Sequence, residues 1–559
     1  MSVEVQRAET GGGGGGRRLR RDLGVVSLLF TGVGSIIGSG WLFGAFNAAQ
    51  IAGPAAIYSW ALATVMILLI GLCFAELSTM FPISGGVVRF PHLSFGSFAS
   101  YMMGWITWLA TVSVAPIEVL AVLQYSNGIA DFSTPHKVAG ETVYTLTGFG
   151  GICAVILMAI FTLINYYGVR LFSRINNVLV WWKLLVIIAV IVLFLVTAFN
   201  TDNFGGRFGF APSGSEGVFS AISTAGIVFS FLGFRQGVEL AGETSNPKRN
   251  VPIAIIGSVL ICGAIYVLLQ VAFIGAVSPG DLQKPGGWSA LSFANDYGPL
   301  AAIANLIGLA WLAKILYADA VISPGDTGLI YNTVTARISY AMGRNGNAPS
   351  SLAKVNHRGA PAISLLLAFI VGLVFFLPFP SWQQLVGFIS SATVLSFGSG
   401  PLVLAAMRRQ MPHYQRTFTL PGGDIIPFLA FFSANMIVYW AGWSTNWKLF
   451  VAVLLGLVLL PIFHATSRGA APALNWRAGL TWIGPWLAGL ALISFLGDYG
   501  DGLGVLKLGT GAAATLVLSV VIYLIALQVR LPVPEVERHI EQATTEAVAE
   551  EAELGEASN

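Results

Sequence analysis

Four charged residues in this sequence have apolar neighbours, and each is of a type that could do chemistry there. Lys183 sits in VWWKLLVII (180–188), Glu118 follows Pro116 among valine, isoleucine and leucine, and Arg235 and Glu239 lie one helical turn apart beside FSFLGF (229–234). Charge inside a membrane span is costly and persists where it pairs, carries a proton or meets a ligand. A desolvated lysine can exchange its proton, and its ammonium can stand where a small cation would, so Lys183 is a candidate proton carrier. A structural lysine, permanently paired or reaching for an edge, is the competing reading. The planar fork of Arg235 fits a carboxylate in two places, unless Glu239, four residues on, or Glu118 neutralises it. Glu118 reads either as a proton acceptor or as the counter-ion of Arg235. Lys314 and Asp319 are taken as buried packing partners, Asp326 and Thr327 as facing Lys183, and Glu76 as the anchor of a cytoplasmic loop.

Bare backbone is the second kind of chemistry on offer. In GSIIGSGWLF (34–43), three glycines and two serines fall in the seven positions from Gly34 to Gly40. Each glycine weakens a helix interior by about 1 kcal/mol relative to alanine. Inside a bilayer an unwound segment survives only against protein, a cavity or a ligand. A helix restarting at Ser39 would aim free N–H groups and the positive end of its dipole at the gap, which suits a carboxylate. A milder interruption is expected in FSFLGFRQG (229–237), centred on Gly233; the competing reading is that the glycines and serines of both segments merely allow close helix packing.

The elements that must position these groups are membrane helices. The chain has 559 residues, 55% hydrophobic and 10% charged, with a mean hydropathy of +0.76. Soluble domains carry about 25% charged residues, which leaves little room here for a separate soluble domain. Apolar runs mark fourteen segments, near 24–48, 52–80, 97–127, 148–167, 176–199, 217–241, 252–277, 297–333, 361–379, 382–407, 425–443, 447–466, 478–497 and 508–529. With the N-terminus inside, 21 lysines and arginines fall on the inner side and five on the outer, while Lys183, Arg235 and Lys314 lie within segments. That asymmetry is the one the positive-inside rule demands. Breaks in the first and sixth segments are the pattern of an inverted five-plus-five repeat, in which two broken helices meet at a binding site. The expected fold is therefore all-α integral membrane: a basic tail (1–22), a transport core (23–410), accessory spans (411–530) and a solvated acidic tail (531–559).

Other chemistries find little support. Cys73, Cys153 and Cys262 lie in apolar segments without paired spacing, and the six histidines form no ligand-spaced pair. There is no GxxxxGK[ST] loop for nucleotide. Neither catalysis, a metal nor a cofactor is expected, nor is nucleic acid a partner.

The strings GSIIGSGWLF, AELSTMFPISGG (75–86), FSFLGF with GETSNPKRNVPIA (242–254), and RISYAMGRNGNAP (337–349) closely resemble the amino acid–polyamine–organocation superfamily of permeases. IEVLAVLQY (117–125), SPGDTGLIYNTVTARISYA (323–341), LPFPSW (377–382) and IVYWAGW (437–443) look like its bacterial aspartate:proton symporter branch. The resemblance implies a secondary transporter in the cytoplasmic membrane, both termini inside, carrying an acidic amino acid with protons; a symporter or exchanger for neutral or cationic amino acids is the alternative. It places the substrate's α-carboxylate on Gly38, Ser39 and Gly40. The α-ammonium falls to carbonyls at Ile36 and at Phe229, Ser230 and Phe231, with the Phe229 ring as a gate. It makes Lys183 the carrier of the coupling proton. The related cationic-substrate permeases have an acidic residue where this chain has Arg235.

Overall fold

The computed structural model describes residues 24–83, 85–138, 141–167, 169–205, 208–293, 297–344, 346–356, 360–466 and 474–543. The basic tail expected at 1–22 and the end of the acidic tail, 544–559, lie outside the described residues. The first half holds α1 (Val25–Ile36), α2 (Gly40–Ala52), α3 (Ala56–Met80), α4 (Gly86–Val112), α5 (Val114–Tyr125), α6 (Gly148–Tyr167) and α7 (Val169–Thr197). Between α5 and α6 runs a hairpin that the hydropathy pattern does not reveal, β1 (Ser133–Val138) paired antiparallel with β2 (Glu141–Leu146). There follow α8 (Gly214–Thr224), a 3-10 helix (Phe229–Arg235), α9 (Gln236–Glu239), α10 (Pro247–Ala276), α11 (Pro279–Leu282), α12 (Pro299–Leu306), α13 (Ala310–Arg344) and α14 (Ala362–Val374). The last group is α15 (Trp382–Gln410), α16 (Ile425–Trp440), α17 (Trp443–Thr466), α18 (Trp476–Leu496) and α19 (Leu508–Val529).

Among the described residues, nine helical stretches are long and apolar enough to cross a bilayer, or ten if α8 and the segment Phe229–Glu239 form one bent span. The outer helices show what surrounds them. On α7, Val178, Trp181, Leu185, Ile188, Val192 and Val196 are all exposed, at three- and four-residue spacing, and Ile152, Ile156, Ile160 and Leu163 do the same on α6. Apolar stripes of this extent are rare on soluble monomers and fit a hydrocarbon solvent. The chain is a multi-pass membrane protein. Inside that shell α3 lies along α10, α4 along α15 and α5 along α13, with α1 held between α10, α7 and the 3-10 helix.

Polar side chains tie the later helices to this core. Trp486 Nε1 donates to Asn435 Oδ1 at 2.8 Å, and Asn435 Nδ2 donates to Ser519 Oγ at 2.8 Å, which joins α18, α16 and α19. Ser223 Oγ of α8 donates to the Ile437 carbonyl of α16 at 2.7 Å. Glu76, fully buried at the end of α3, accepts from Arg408 Nε at 3.0 Å and from the Leu420 N–H at 2.8 Å, so it does anchor the connection from α15 to α16. Replacing Glu76 by alanine strands a partly buried guanidinium. The expected loss is about 3 kcal/mol, the scale for breaking a buried pair, and it is read as a lowered melting temperature of the purified protein.

Two expectations need correction. Lys314 is exposed, so it is no buried partner of Asp319, which instead accepts from Trp182 Nε1 at 2.9 Å and Ser323 Oγ at 2.8 Å. The acidic tail is not wholly solvated: residues 533–543 are helical, Val536 is buried, and the His539 ring stacks on His92 at 4.4 Å. Hydrogen bonds from Leu531 N to the Ser94 carbonyl (3.0 Å) and from Gln410 Nε2 to the Leu531 carbonyl (2.8 Å) dock it on α4 and α15. Glu535, Glu537, Arg538 and Glu541, spaced irregularly along this stretch, hide the one apolar face that makes the contact.

Candidate functional site

The first helix breaks where the glycines demand it. α1 ends at Ile36, Ile37 leaves the helical region (φ −84°, ψ 84°), and α2 restarts at Gly40. The second break lies elsewhere than expected. It falls at 225–228, where Gly226 adopts φ +90°, and the two flanking segments differ in direction by 48°. Phe229–Arg235, the stretch expected to unwind, is wound as a 3-10 helix. Gly233 serves close approach: a Cβ there would lie 2.2 Å from the carbonyl carbon of Ser35. Gly233→Ala should therefore force the two broken helices apart, at about 3 kcal/mol as a strong overpacking effect, and lower the yield of folded protein in a fluorescence-detected size-exclusion assay.

Between the breaks is a small cavity lined by Ser35, Ile36, Gly38, Val114, Glu118, Phe229, Leu232, Thr327 and Tyr331. The space open to the centre of a water-sized sphere is about 10 Å³, about the minimum for one water, so admitting a larger ligand requires movement. The Ser39 N–H at the start of the second half-helix donates to Glu118 Oε2 at 2.9 Å. A carboxylate thus occupies the anion position that the helix terminus creates, and Glu118 Oε1 has no hydrogen-bond partner among the described residues. Trp382 Nε1 donates to Ser39 Oγ at 2.8 Å, and its indole meets Phe43 (4.8 Å) and Phe229 (6.0 Å), an aromatic layer beside the cavity.

The carbonyl side is bridged by a hydroxyl. Tyr266 Oη lies 3.1 Å from the Ile36 carbonyl and 3.5 Å from the Ser230 carbonyl, so one donor addresses both broken helices. Ser230 Oγ turns back to the Gly226 carbonyl at 2.7 Å, and the Phe231 ring packs on Tyr266 and Trp60 rather than the cavity.

Lys183 is fully buried. Its Nζ lies 2.7 Å from Asp326 Oδ2, 3.1 Å from the Gly34 carbonyl at the end of α1, and 3.3 Å from Thr327 Oγ1. Thr327 lines the cavity, so a single side chain separates the ammonium from it. Arg235 takes neither of the partners expected for it. Among the described residues no Glu118 or Glu239 oxygen lies within ion-pair distance, its Nε and Nη2 are unpartnered, and its guanidinium sits over the Tyr331 ring, 5.6 Å from the centroid. Glu118 is consequently not its counter-ion.

The sequence places the chain in a known family. A model of the amino acid permease family matches residues 23–463. The chain belongs to that family. It is 39% identical over 518 residues to the glutamate/serine transporter AimA of Bacillus subtilis (strain 168), covering 91% of this chain and 94% of the relative. It is 36% identical over 515 residues to the aspartate-proton symporter of the same organism, covering 92% and 97%. A branched-chain amino acid permease, BcaP, again from Bacillus subtilis, is 28% identical over 463 residues, covering 79% and 93%.

In this permease the residues singled out from sequence largely converge. Ile36, Gly38, Phe229 and Glu118 line one cavity, and Ser39, Gly40 and Ser230 flank it. Gly233 and Arg235 stand behind it. Tyr266, Trp382 and Tyr331 touch the same place and are not singled out by the sequence: Trp382 and Tyr331 fall within family-like strings without a role of their own, and an aromatic residue in an apolar helix is ordinary core unless its neighbours across the bundle are known.

Proposed function

We propose that this permease is a secondary transporter that brings an acidic amino acid across the cytoplasmic membrane together with a proton. The observation that carries the reading is the Glu118 carboxylate on the Ser39 N–H at the first break. A site that receives one carboxylate there suits the α-carboxylate of a substrate. Two carboxylates do not share one N–H while both are charged, so the substrate's arrival either moves Glu118 or supplies it with a proton. The carbonyls of Ile36 and Ser230, now answered by Tyr266 Oη, suit the α-ammonium, with Phe229 as the gate. Gly38 and Gly40 complete the carboxylate cradle. Arg235, beyond the Tyr331 ring, is the grip for a side-chain carboxylate.

Lys183 carries the coupling proton in this reading. Its ammonium meets Asp326 and the Gly34 carbonyl, so loss of its proton loosens α7 and α13 from the end of α1. The relatives' names, one an aspartate-proton symporter and one a glutamate/serine transporter, support both the coupling and the acidic substrate. Fourteen crossings, ten of them in a five-plus-five repeat and four accessory, with both termini on the inner side, complete the proposal. The second reading, a small neutral substrate such as serine, is favoured by one observation: Arg235 does not itself line the cavity.

A ligand panel separates the two. Aspartate and glutamate should raise the melting temperature of the detergent-purified protein most, with arginine giving no rise. A largest rise with serine or alanine and none with the acidic pair would reject the acidic substrate.

A further inference from the structure

One face of α13 reaches the cavity twice, through Thr327 and, four residues later, Tyr331. Thr327 leads to Lys183; nothing yet accounts for Tyr331. Its side chain is buried, with 2% of the residue exposed, yet its hydroxyl has no hydrogen-bond partner among the described residues. Buried hydroxyls are nearly always satisfied, and one left open at a cavity wall points to a ligand. Arg235 is its counterpart: its Nε and Nη2 are equally unpartnered, and its guanidinium lies over the same ring. Ser35 Oγ and Glu118 Oε1, also on the cavity wall, are open too.

We infer that Tyr331 is a specificity-determining residue whose hydroxyl makes the first contact with the substrate's side chain, reading a hydroxyl and a carboxylate alike, while Arg235 behind it answers only a carboxylate. The inference rests on the transport reading above and deepens it. A phenol both donates and accepts, so it accepts from the O–H of a serine-like substrate and donates to the oxygen of an acidic one. The cation over the ring belongs to a fixed positive charge that only an anionic side chain draws forward. A site with this order, neutral reader in front and cation behind, admits both small hydroxyl-bearing and acidic amino acids and gives a purely apolar side chain no polar contact.

Tyr331→Phe is an unusually clean test, because the hydroxyl it removes has no partner to strand and the ring beneath Arg235 stays. The variant and the wild type, each as the full chain in detergent, are compared for apparent affinity for glutamate, serine and alanine by ligand-induced thermal shift. The ligand-free melting temperature should be unchanged or slightly raised. Affinity for glutamate and serine should fall about tenfold, the scale of one hydrogen bond, with alanine unaffected. In Arg235→Gln, glutamate alone should weaken. Equal weakening for all three ligands in Tyr331→Phe, or none for any, would overturn the inference. If wild-type protein responds to neither glutamate nor serine, the substrate reading itself fails, and that outcome is visible before any variant is made.

Discussion

Replacing Lys183 by alanine is expected to abolish accumulation of substrate driven by a pH gradient. Lys183 is the buried cation that meets Asp326, the Gly34 carbonyl and Thr327 together, so its loss removes the link between a protonation event and the end of α1. The single change also leaves Asp326 as an uncompensated buried charge, a penalty of about 3–5 kcal/mol, and a dead variant could simply be a misfolded one. The double replacement Lys183→Ala with Asp326→Ala settles this. It removes both charges, so it should recover most of the melting temperature lost by the single variant while remaining uncoupled. Uptake by the double variant that still follows the pH gradient would take the coupling role away from Lys183.

Arg235→Leu should act on substrate choice. Charge-assisted hydrogen bonds contribute about 1.5–3 kcal/mol, so apparent KM for aspartate or glutamate should rise about 10- to 150-fold, while uptake of a neutral amino acid changes little. The two orphaned nitrogens of Arg235 favour this outcome, because among the described residues no carboxylate within ion-pair distance would be left exposed by the change. Competition by unlabelled amino acids against a labelled neutral substrate measures it. A uniform loss across substrates would make the arginine a support for the fold, propped on Tyr331.

How much of the fold and the site is legible in the chain depends on whether the cause is local. The first break is local: glycine and serine density at 34–40 inside an apolar run is hard to reconcile with an unbroken helix, and the helix does stop at Ile36 and restart at Gly40. The second break falls several residues before the place its glycine spacing suggests, because two glycines there do different things. Gly226 supplies the left-handed turn, whereas Gly233 supplies contact with the Ser35 backbone, and spacing alone cannot tell a bend from a close approach. Lys183 facing Asp326 and Thr327 can be anticipated, since a buried cation requires partners and these are polar residues on the helix that reaches it. Tyr266 across two carbonyls, Trp382 on Ser39 and Tyr331 beneath Arg235 are contacts between helices far apart in sequence, fixed by packing rather than by any local pattern. The same holds for the docking of 533–543, where one buried valine and a histidine stack decide what net charge obscures.

The central claim is that a zwitterion with an acidic side chain and a proton cross together through the two breaks. It is tested most directly by uptake of radiolabelled aspartate and glutamate into proteoliposomes holding the full chain, with an imposed acid-outside pH gradient and, in parallel, with the gradient collapsed by an ionophore. The account predicts accumulation above equilibrium only with the gradient in place, accompanied by inward proton movement. Equilibration that ignores the gradient, or accumulation of arginine in preference to either acidic amino acid, would contradict it.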